Sequence, residues 1–495
     1  QPYNVRGLEK ILRSYSESFG MEFFIINGNH DPVWPLTTDG GKSNFLGENG
    51  KSQPIMSREG LIQSDSQLPV VVTNEVSQLG YESLTNILSR NGLEPQPEYL
   101  YWATPFSTYT YESYSFKRAK DHSLFKNRQY VADSLGNRIP DVSYVVEPME
   151  GLWLLALDGN VYLPSAKEGN GYAKARLESG GEYSNIILHK KHLLKWVEHV
   201  VRESKRLNKT LITFSHYPMI DFYDGAANDL KQLFGEKNLQ LFRIPSEDIA
   251  ELFAKAGIKV HWAGHLHLND TGVRHFNDTT FLVNIQIPSL AGYPSAYKIL
   301  TIHSQNEWDI ETVRIDSVAG YNELFALYGQ EYDRLQSENN MAVWNKDILT
   351  SKSYHELIDW HLKELVRLRF IPKEWPAELK HFMLNADGNK LLSYAGVRQS
   401  TATSNWTGLD MIVDFYRLLM GDQLAINDLD ESRFAQYKAI IESELSKAEI
   451  KQGVPADFHL FVKCFSEIIK GEPCDHFQID MNNGKIRDLN PILKK

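Results

Sequence analysis

The tetrapeptide Gly28-Asn29-His30-Asp31 lies just after the apolar run MEFFII at residues 21–26. The run is short, apolar and ended by turn residues, and it therefore predicts a buried strand. The turn presents an amide oxygen, an imidazole and a carboxylate on one loop. Such a fixed tetrapeptide arises by chance in a chain of this length only about a few times in a thousand. We therefore interpret it as a functional signature.

Two further polar motifs follow predicted strands. His216 lies in a Ser-His-Tyr-Pro sequence after the predicted strand 211–214. His265 and His267 lie in a Gly-His-Leu-His sequence after the predicted strand 258–263. Sites in layered α/β folds lie at the carboxyl ends of strands. The placement of these motifs thus predicts one shared site.

Strand and helix patterns alternate along the first two thirds of the chain. Helical spacing occurs at 7–19, 193–201 and 246–256. Other strand-like runs lie at 151–157, 280–287, 297–302 and 308–315. After about residue 320 the patterns are mainly helical. We expect a domain at 1–318, with a polar insertion at about 37–66, and a mainly α-helical region at 319–495.

Composition limits the class of protein. The formal net charge of −11 argues against a polyanion as the main partner, so a nucleic-acid polymer is not expected. The chain has no run of 18 apolar residues, so we expect no transmembrane segment. The basic cluster of Lys190, Lys191 and Lys195 is interpreted as a helix surface and not as a nucleic-acid footprint. Cys464 and Cys474 are either free thiols or a local disulfide, and an exported location is slightly favoured over a cytoplasmic one.

The side chains of the three motifs suit metal-assisted hydrolysis. Imidazole binds zinc, iron and manganese, and amide oxygens suit harder cations. Two ions about 3.5–4 Å apart clamp the oxygens of a phosphoryl group and lower the pKa of bound water toward about 7. His265 and His267 can flank such a pair. His30 can protonate the leaving oxygen, and Asp31 can orient the His30 ring.

Taken together, the motifs of residues 28–267 resemble the last three motifs of the calcineurin-like metallophosphoesterases. The resemblance implies an α/β fold of four layers, an αββα sandwich. It also implies a dinuclear, metal-dependent phosphoric ester hydrolase that cleaves a phosphomonoester or phosphodiester with metal-activated hydroxide. The cofactors would be two divalent ions (Mn, Fe or Zn), and the substrate a phosphorylated small molecule or lipid.

The resemblance assigns a role to each residue of the motifs. Asn29, His216 and His265 would bind one metal ion, and His267 would bind the other. His30 would be the catalytic histidine that assists the leaving group, and Asp31 would be its partner. The polar insertion, the aromatic stretch 99–114 and the helical region are all open as elements that shape the substrate pocket.

The first two motifs of the family, Asp-x-His and Gly-Asp-x-x-Asp, do not precede Gly28. They would supply the bridging carboxylate, ligands of the second ion and the first strands. We therefore expect that the N-terminal strands of the sandwich belong to an upstream segment that this chain lacks. One alternative is a non-catalytic binding protein on a degraded phosphoesterase scaffold. Another is a mononuclear hydrolase with Asn29, His216, His265 and water as ligands.

Overall fold

The structure is a computed structural model that describes residues 1–61, 68–132, 136–163, 176–177, 182–338, 343–397, 404–447 and 452–490. Helices make up 44% and strands 20% of the structure, and the C-terminal part is helical. This confirms the predicted α/β class with a mainly helical C-terminal region. Within the described residues, no helix is both long enough and apolar enough to cross a membrane.

The described residues form short strands throughout the chain. They are β1 (Gly41–Leu46), β2 (Ser52–Met56), β3 (Val71–Val72), β4 (Tyr101–Ala103), β5 (Gln129–Val131), β6 (Arg138–Pro140), β7 (Tyr144–Met149), β8 (Leu152–Leu157), β9 (Tyr162–Leu163), β10 (Arg176–Leu177), β11 (Thr210–Ser215), β12 (Val260–Ala263), β13 (Asp270–His275), β14 (Phe281–Gln286), β15 (Ala296–Ser304), β16 (Glu307–Arg314), β17 (His476–Asp480) and β18 (Ile486–Asp488).

The α-helices are concentrated in the second half. They are α1 (Pro2–Phe19), α2 (Tyr81–Ile87), α3 (Phe116–Ser123), α4 (Glu182–His189), α5 (Lys191–Arg206), α6 (Ala227–Phe234), α7 (Glu247–Ala256), α8 (Phe325–Ser337), α9 (Tyr354–Leu365), α10 (Ile371–Glu374), α11 (Ala377–Leu384), α12 (Gly388–Ala395), α13 (Gly408–Gly421), α14 (Glu431–Leu445) and α15 (Val454–Ile469).

The chain forms two compact units, each built from several segments. Unit 1 comprises residues 1–219, 248–265 and 326–339, and unit 2 comprises residues 220–247, 266–325 and 340–495. The predicted domains, 1–318 and 319–495, instead follow the order of the chain, and their limits stay a prediction.

Unit 1 contains a mixed sheet. Five of its strands are hydrogen-bonded in the order β12-β11-β8-β7-β4. Strands β8, β11 and β12 run parallel, whereas β7 and β4 are antiparallel to their neighbours. Helix α5 repeats apolar residues at helical spacing, and its buried face includes Leu193, Val197 and Val200. The predictions for 151–157, 211–214 and 258–263 are confirmed as β8, β11 and β12.

The predicted strand at 21–26 is wrong. Helix α1 is present as expected and ends at Gly20, whose φ of 67° gives a left-handed C-cap. The following run is half-buried but is not a strand. Its backbone is fixed at Ile25, whose amide donates to the Asn91 carbonyl over 3.1 Å. An apolar run indicates burial, but a strand also requires a neighbouring strand to pair with.

The predicted polar insertion at about 37–66 contains regular structure. Strands β1 and β2 pair antiparallel, and β3 pairs with β2 in parallel. Residues 62–67 lie outside the described residues. Part of the insertion therefore belongs to a small sheet, and it is not a simple surface loop.

Unit 2 combines a helical core with antiparallel strands. Strands β15, β16, β17 and β18 form one antiparallel sheet, and β13 and β14 form a hairpin. The predicted strands 280–287, 297–302 and 308–315 are confirmed as β14, β15 and β16. The C-terminal strands β17 and β18 were not predicted, because each is short and follows a long helical region. Cys464 and Cys474 are both buried free thiols.

Candidate metal centre

The carboxyl ends of three parallel strands bring polar residues to one edge of the unit 1 sheet. Asp158 directly follows β8, and His216 directly follows β11. His265 comes two residues after β12. Because β8, β11 and β12 run parallel, these residues share the edge that α/β folds use for their sites. The expectation that the histidine motifs follow neighbouring strands is thus confirmed for His216 and His265.

Three of the predicted metal ligands lie together. Nε2 of His216 lies 2.9 Å from Oδ1 of Asn29 and 3.0 Å from Nδ1 of His265. The two imidazole rings meet nearly edge to face, with ring centroids 4.9 Å apart and an interplanar angle of 76°. All three side chains are partly buried. One amide oxygen and two imidazole nitrogens therefore converge, although they lie far apart in the sequence.

The spacing of these atoms fits one divalent cation. Octahedral ligands with bonds of about 2.1 Å lie roughly 3.0 Å from their neighbours at right angles. Tetrahedral ligands of zinc with similar bonds lie roughly 3.4 Å apart. The distances from His216 to Asn29 and His265 match the octahedral spacing more closely. A mixed oxygen and imidazole donor set also suits manganese or iron.

The described residues contain no group of three or more His, Cys, Asp or Glu side chains that could hold a metal ion. The converging trio has two imidazoles, and its third ligand is the Asn29 amide. The trio can thus bind a single ion through neutral donors. Two metal ions stay a prediction from the family resemblance.

Gly28 is required by the close approach of His216. A Cβ atom at residue 28 would lie 2.9–3.0 Å from three atoms of the His216 ring. Real Cβ atoms essentially never approach other atoms this closely, so any larger residue would displace the imidazole. The glycine of the signature thus lets the loop that carries Asn29 directly contact His216, a predicted metal ligand.

The loops that carry His216 and His265 are joined by their backbones. The Gly264 amide donates to the His216 carbonyl over 3.0 Å. Under this contact, Oγ of Ser215 donates to the Tyr217 carbonyl over 2.9 Å. His265 has a φ of 64°, a left-handed conformation that is uncommon for a residue with a side chain. The strained turn directs the imidazole of His265 toward His216.

Side chains after β8 hold the loop that carries Asn29. Oδ1 of Asp158 accepts from Nδ2 of Asn27 over 3.0 Å. Nδ2 of Asn160 donates to the Gly28 carbonyl over 2.8 Å. The hydroxyl of Tyr162 donates to the Pro32 carbonyl. Sequence reasoning missed Asn27 and Asn160, because a lone amide has no distinctive spacing.

Asp158 also belongs to a cluster of buried charged side chains. Nζ of Lys190 lies 3.2 Å from a carboxylate oxygen of Asp141 and 3.5 Å from one of Asp158. Nε2 of His192 lies 2.9 Å from Asp141. Burial alone would raise the pKa of Asp141, but Lys190 and His192 outweigh it and hold the pKa well below its usual range. The prediction that Lys190 lies on a helix surface is wrong, because its side chain is fully buried against these acids.

His30 and Asp31, the predicted catalytic pair, are both exposed. The Asp31 amide closes the turn by donating to the Gly28 carbonyl over 3.2 Å. Neighbouring protein atoms displace water from the Asp31 carboxyl, and this desolvation raises its pKa. The charge of His30 partly offsets the rise. Among the described residues, no hydrogen bond joins the side chains of His30 and Asp31. The orienting role of Asp31 stays a prediction.

His267, the predicted ligand of a second ion, belongs to unit 2. Its side chain is exposed, and its φ is 63°. It has the same left-handed backbone as His265, so the Gly-His-Leu-His sequence contains two strained turns. Its role as a ligand stays a prediction.

No protein-family model matches this chain, and no curated protein shows significant similarity to it.

Proposed function

We propose that this chain carries the metal-binding part of a phosphoric ester hydrolase that acts on a phosphomonoester or phosphodiester. The observation that carries the proposal is that Nε2 of His216 lies within 3.0 Å of both Oδ1 of Asn29 and Nδ1 of His265. When bound there, a divalent cation would activate water and neutralise charge on the phosphoryl group. The substrate class is a phosphorylated small molecule or lipid.

In this proposal, different residues bind the metal ion and transfer the proton. Asn29, His216 and His265 hold the ion through three neutral donor atoms. The bound ion thus keeps its positive charge for the substrate. His30 lies next to Asn29 on the same turn and is exposed, so its imidazole can reach a bound substrate. There it donates a proton to the leaving oxygen.

The second ion of the proposed dinuclear centre is assigned to His267 by resemblance. A single imidazole cannot hold an ion tightly, so further ligands are needed for this ion. Mn, Fe and Zn all fit the proposed ligands.

The test combines metal binding and turnover. Isothermal titration with Mn²⁺ gives the affinity, and hydrolysis of p-nitrophenyl phosphate and bis(p-nitrophenyl) phosphate gives the activity. We expect His216→Ala and His265→Ala to weaken Mn²⁺ binding more than about 100-fold, because each removes a direct ligand. His199→Ala, an exposed histidine on α5, is the matched control and should bind like the wild type.

Each outcome distinguishes between the alternatives. Metal-dependent turnover that is lost in His30→Ala with unchanged Mn²⁺ affinity supports the hydrolase. Metal binding without turnover of either ester favours a non-catalytic binding protein on a phosphoesterase scaffold. Wild-type affinity in both ligand variants would overturn the proposed site.

A further inference from the structure

Asn160 lies between the loop that carries Asn29 and the loop that carries His216. Its side chain is 1% exposed. Nδ2 of Asn160 donates to the carbonyl of Gly28, the residue before Asn29, over 2.8 Å. Oδ1 of Asn160 accepts from the hydroxyl of Tyr217, the residue after His216, over 2.9 Å. One amide thus bonds to the chain neighbours of two proposed metal ligands.

We propose that Asn160 is a positioning residue that sets the metal affinity of the site by holding these two loops together. The inference rests on the proposed function, because it presumes that Asn29 and His216 bind a metal ion. It extends that function by assigning control of the affinity to a residue that touches neither the ion nor a ligand side chain.

The chemistry of the contacts favours an amide at this position. The Gly28 carbonyl can only accept a hydrogen bond, so its partner must donate. The Tyr217 hydroxyl donates to Asn160, so its partner must accept. An asparagine side chain offers a donor and an acceptor at the same end, whereas an aspartate has no donor when ionised.

Asn160 is itself fixed in place. Its backbone amide donates to Oδ1 of Asp158 over 3.0 Å, and Asp158 is fully buried. The preceding residue, Gly159, lies so close to Tyr217 that a Cβ atom there would be 2.5 Å from the ring. The backbone of Asn160 is thus held in a fixed position. Its two side-chain contacts position the loops that carry Asn29 and His216 against residues 158–160.

The loop that carries Asn29 depends on such a contact more than the other ligand loops do. His216 directly follows strand β11, whose backbone is paired on both sides by β8 and β12. Asn29 follows residues 21–27, which do not form a strand. Without a strand ladder, the position of Asn29 relative to His216 depends on side-chain contacts such as that of Asn160. Residues that support metal ligands in this way typically change affinity about 10–100-fold.

The experiment measures Mn²⁺ binding by isothermal titration in the whole chain for Asn160→Ala and Tyr217→Phe. Asn160→Ala should weaken binding about 10–100-fold. Tyr217→Phe keeps the ring that contacts His216 and His265 and removes only the hydroxyl, so a smaller loss is expected. Because both changes act on one contact, the double variant should bind about as weakly as Asn160→Ala alone.

Ser204→Ala is the control for a general loss of stability. Oγ of Ser204 is buried and donates to the Val201 carbonyl over 2.9 Å within α5. The variant thus loses one buried hydrogen bond outside the ligand loops, and its Mn²⁺ affinity should stay within about twofold of the wild type. Thermal unfolding of each variant shows whether it is folded, and Tyr217→Phe provides the test if Asn160→Ala does not fold.

A second readout does not depend on activity. In the metal-free protein, ¹⁵N NMR of the histidine side chains reports on the contact between His216 and Asn29. We expect Asn160→Ala to shift the His216 resonances and Ser204→Ala to leave them unchanged. Wild-type Mn²⁺ affinity in Asn160→Ala and Tyr217→Phe would overturn this inference alone. Absence of Mn²⁺ binding in the wild type would overturn the proposed function as well.

Discussion

One buried acidic cluster in each unit shows an opposite arrangement of charge. In unit 1, Asp141 and Asp158 are fully buried, and both lie within 3.5 Å of the ammonium group of Lys190. In unit 2, burial raises the pKa of Asp270 to about 8, and the charge of Asp422 adds to the rise. The cluster of unit 1 thus has a cation beside its acids, whereas the cluster around Asp270 places like charges near one another.

Unit 2 has a buried cation, but its hydrogen bonds go elsewhere. Nζ of Lys298 donates to Oδ1 of Asn269, to Oγ1 of Thr312 and to the Cys474 carbonyl, over 2.6, 2.7 and 2.7 Å. Its charge lowers the pKa of Asp270 only as a minor effect. The position of a lysine, and not its presence, thus decides whether the pKa of a neighbouring buried acid is lowered, as at Asp141, or raised, as at Asp270.

The difference gives the units opposite responses to pH. In unit 1, the low pKa of Asp141 adds stability above the unfolded value of about 4, and this stability is lost as the pH falls. In unit 2, folded Asp270 keeps its proton between about pH 4 and 8, whereas the unfolded chain releases it. Unit 2 therefore loses stability as the pH rises through that range.

The largest effect is expected when the cation is removed from the buried cluster of Lys190, Asp141 and Asp158 in unit 1. Lys190→Met leaves Asp141 and Asp158 buried without their cation, so the free energy of unfolding of unit 1 should fall by about 3–5 kcal/mol. Urea unfolding, with hydrogen exchange of the amides in β8 and β11, measures this change. Lys191→Met changes the adjacent, exposed lysine and should stay within about 0.5 kcal/mol of the wild type. A similar small change in both variants would contradict the comparison.

The next effect removes a repelling acid from unit 2. Asp270→Asn should raise the free energy of unfolding at pH 8 by roughly 2–4 kcal/mol, because Asp270 must take up a proton on folding at this pH and asparagine need not. Thermal unfolding at pH 5 and pH 8 tests it, and the variant should show less loss of stability between the two. Asp278→Asn, an exposed aspartate in the turn of the same hairpin, should keep the wild-type pH dependence. The same loss of stability between pH 5 and pH 8 in Asp270→Asn as in the wild type would contradict the prediction.

A third prediction tests whether unit 1 positions its loops for metal binding, with no change in charge. Gly28→Ala places a Cβ 2.9 Å from the His216 ring and should weaken Mn²⁺ binding about 10-fold or more. Gly264→Ala is a matched control, because its nearest contact would be 3.8 Å. Calorimetric titration of both variants measures the difference. Equal affinities would show that the approach of Gly28 to His216 has no role in binding.

The smallest expected effect compares two buried tyrosines of unit 1. The Tyr144 hydroxyl donates to the Ile25 carbonyl over 2.8 Å, whereas the Tyr130 hydroxyl is buried and has no hydrogen-bond partner among the described residues. Tyr144→Phe should lower the free energy of unfolding by about 1 kcal/mol, and Tyr130→Phe should be neutral or slightly stabilising. Urea unfolding of both variants measures it. The reverse order of stability would show that the Ile25 contact does not help to fix the run before Asn29.

The strands that carry the site could be predicted where a short apolar run ended by turn residues was a sufficient signal. Strands β8, β11 and β12 are short apolar runs that end in turn residues, and each is paired with a neighbour. The same signal failed at residues 21–26, because apolar residues indicate burial but not the presence of a pairing strand. The prediction that Lys190 lies on a helix surface was wrong for a related reason. A lysine in a basic cluster is usually exposed, and only Asp141 and Asp158, which are distant in sequence, explain its burial.

The sequence by itself determined the class of fold and the residue types at the candidate site. Periodicity and turn residues are local properties, and they were sufficient to predict strands that end at His216 and at the Gly-His-Leu-His sequence. Only the tertiary structure decided that Asn29, His216 and His265 meet, that Asn160 joins their loops, and that Lys190 is buried. These contacts join residues up to 187 positions apart in the sequence, and no local pattern encodes the distance between two such side chains.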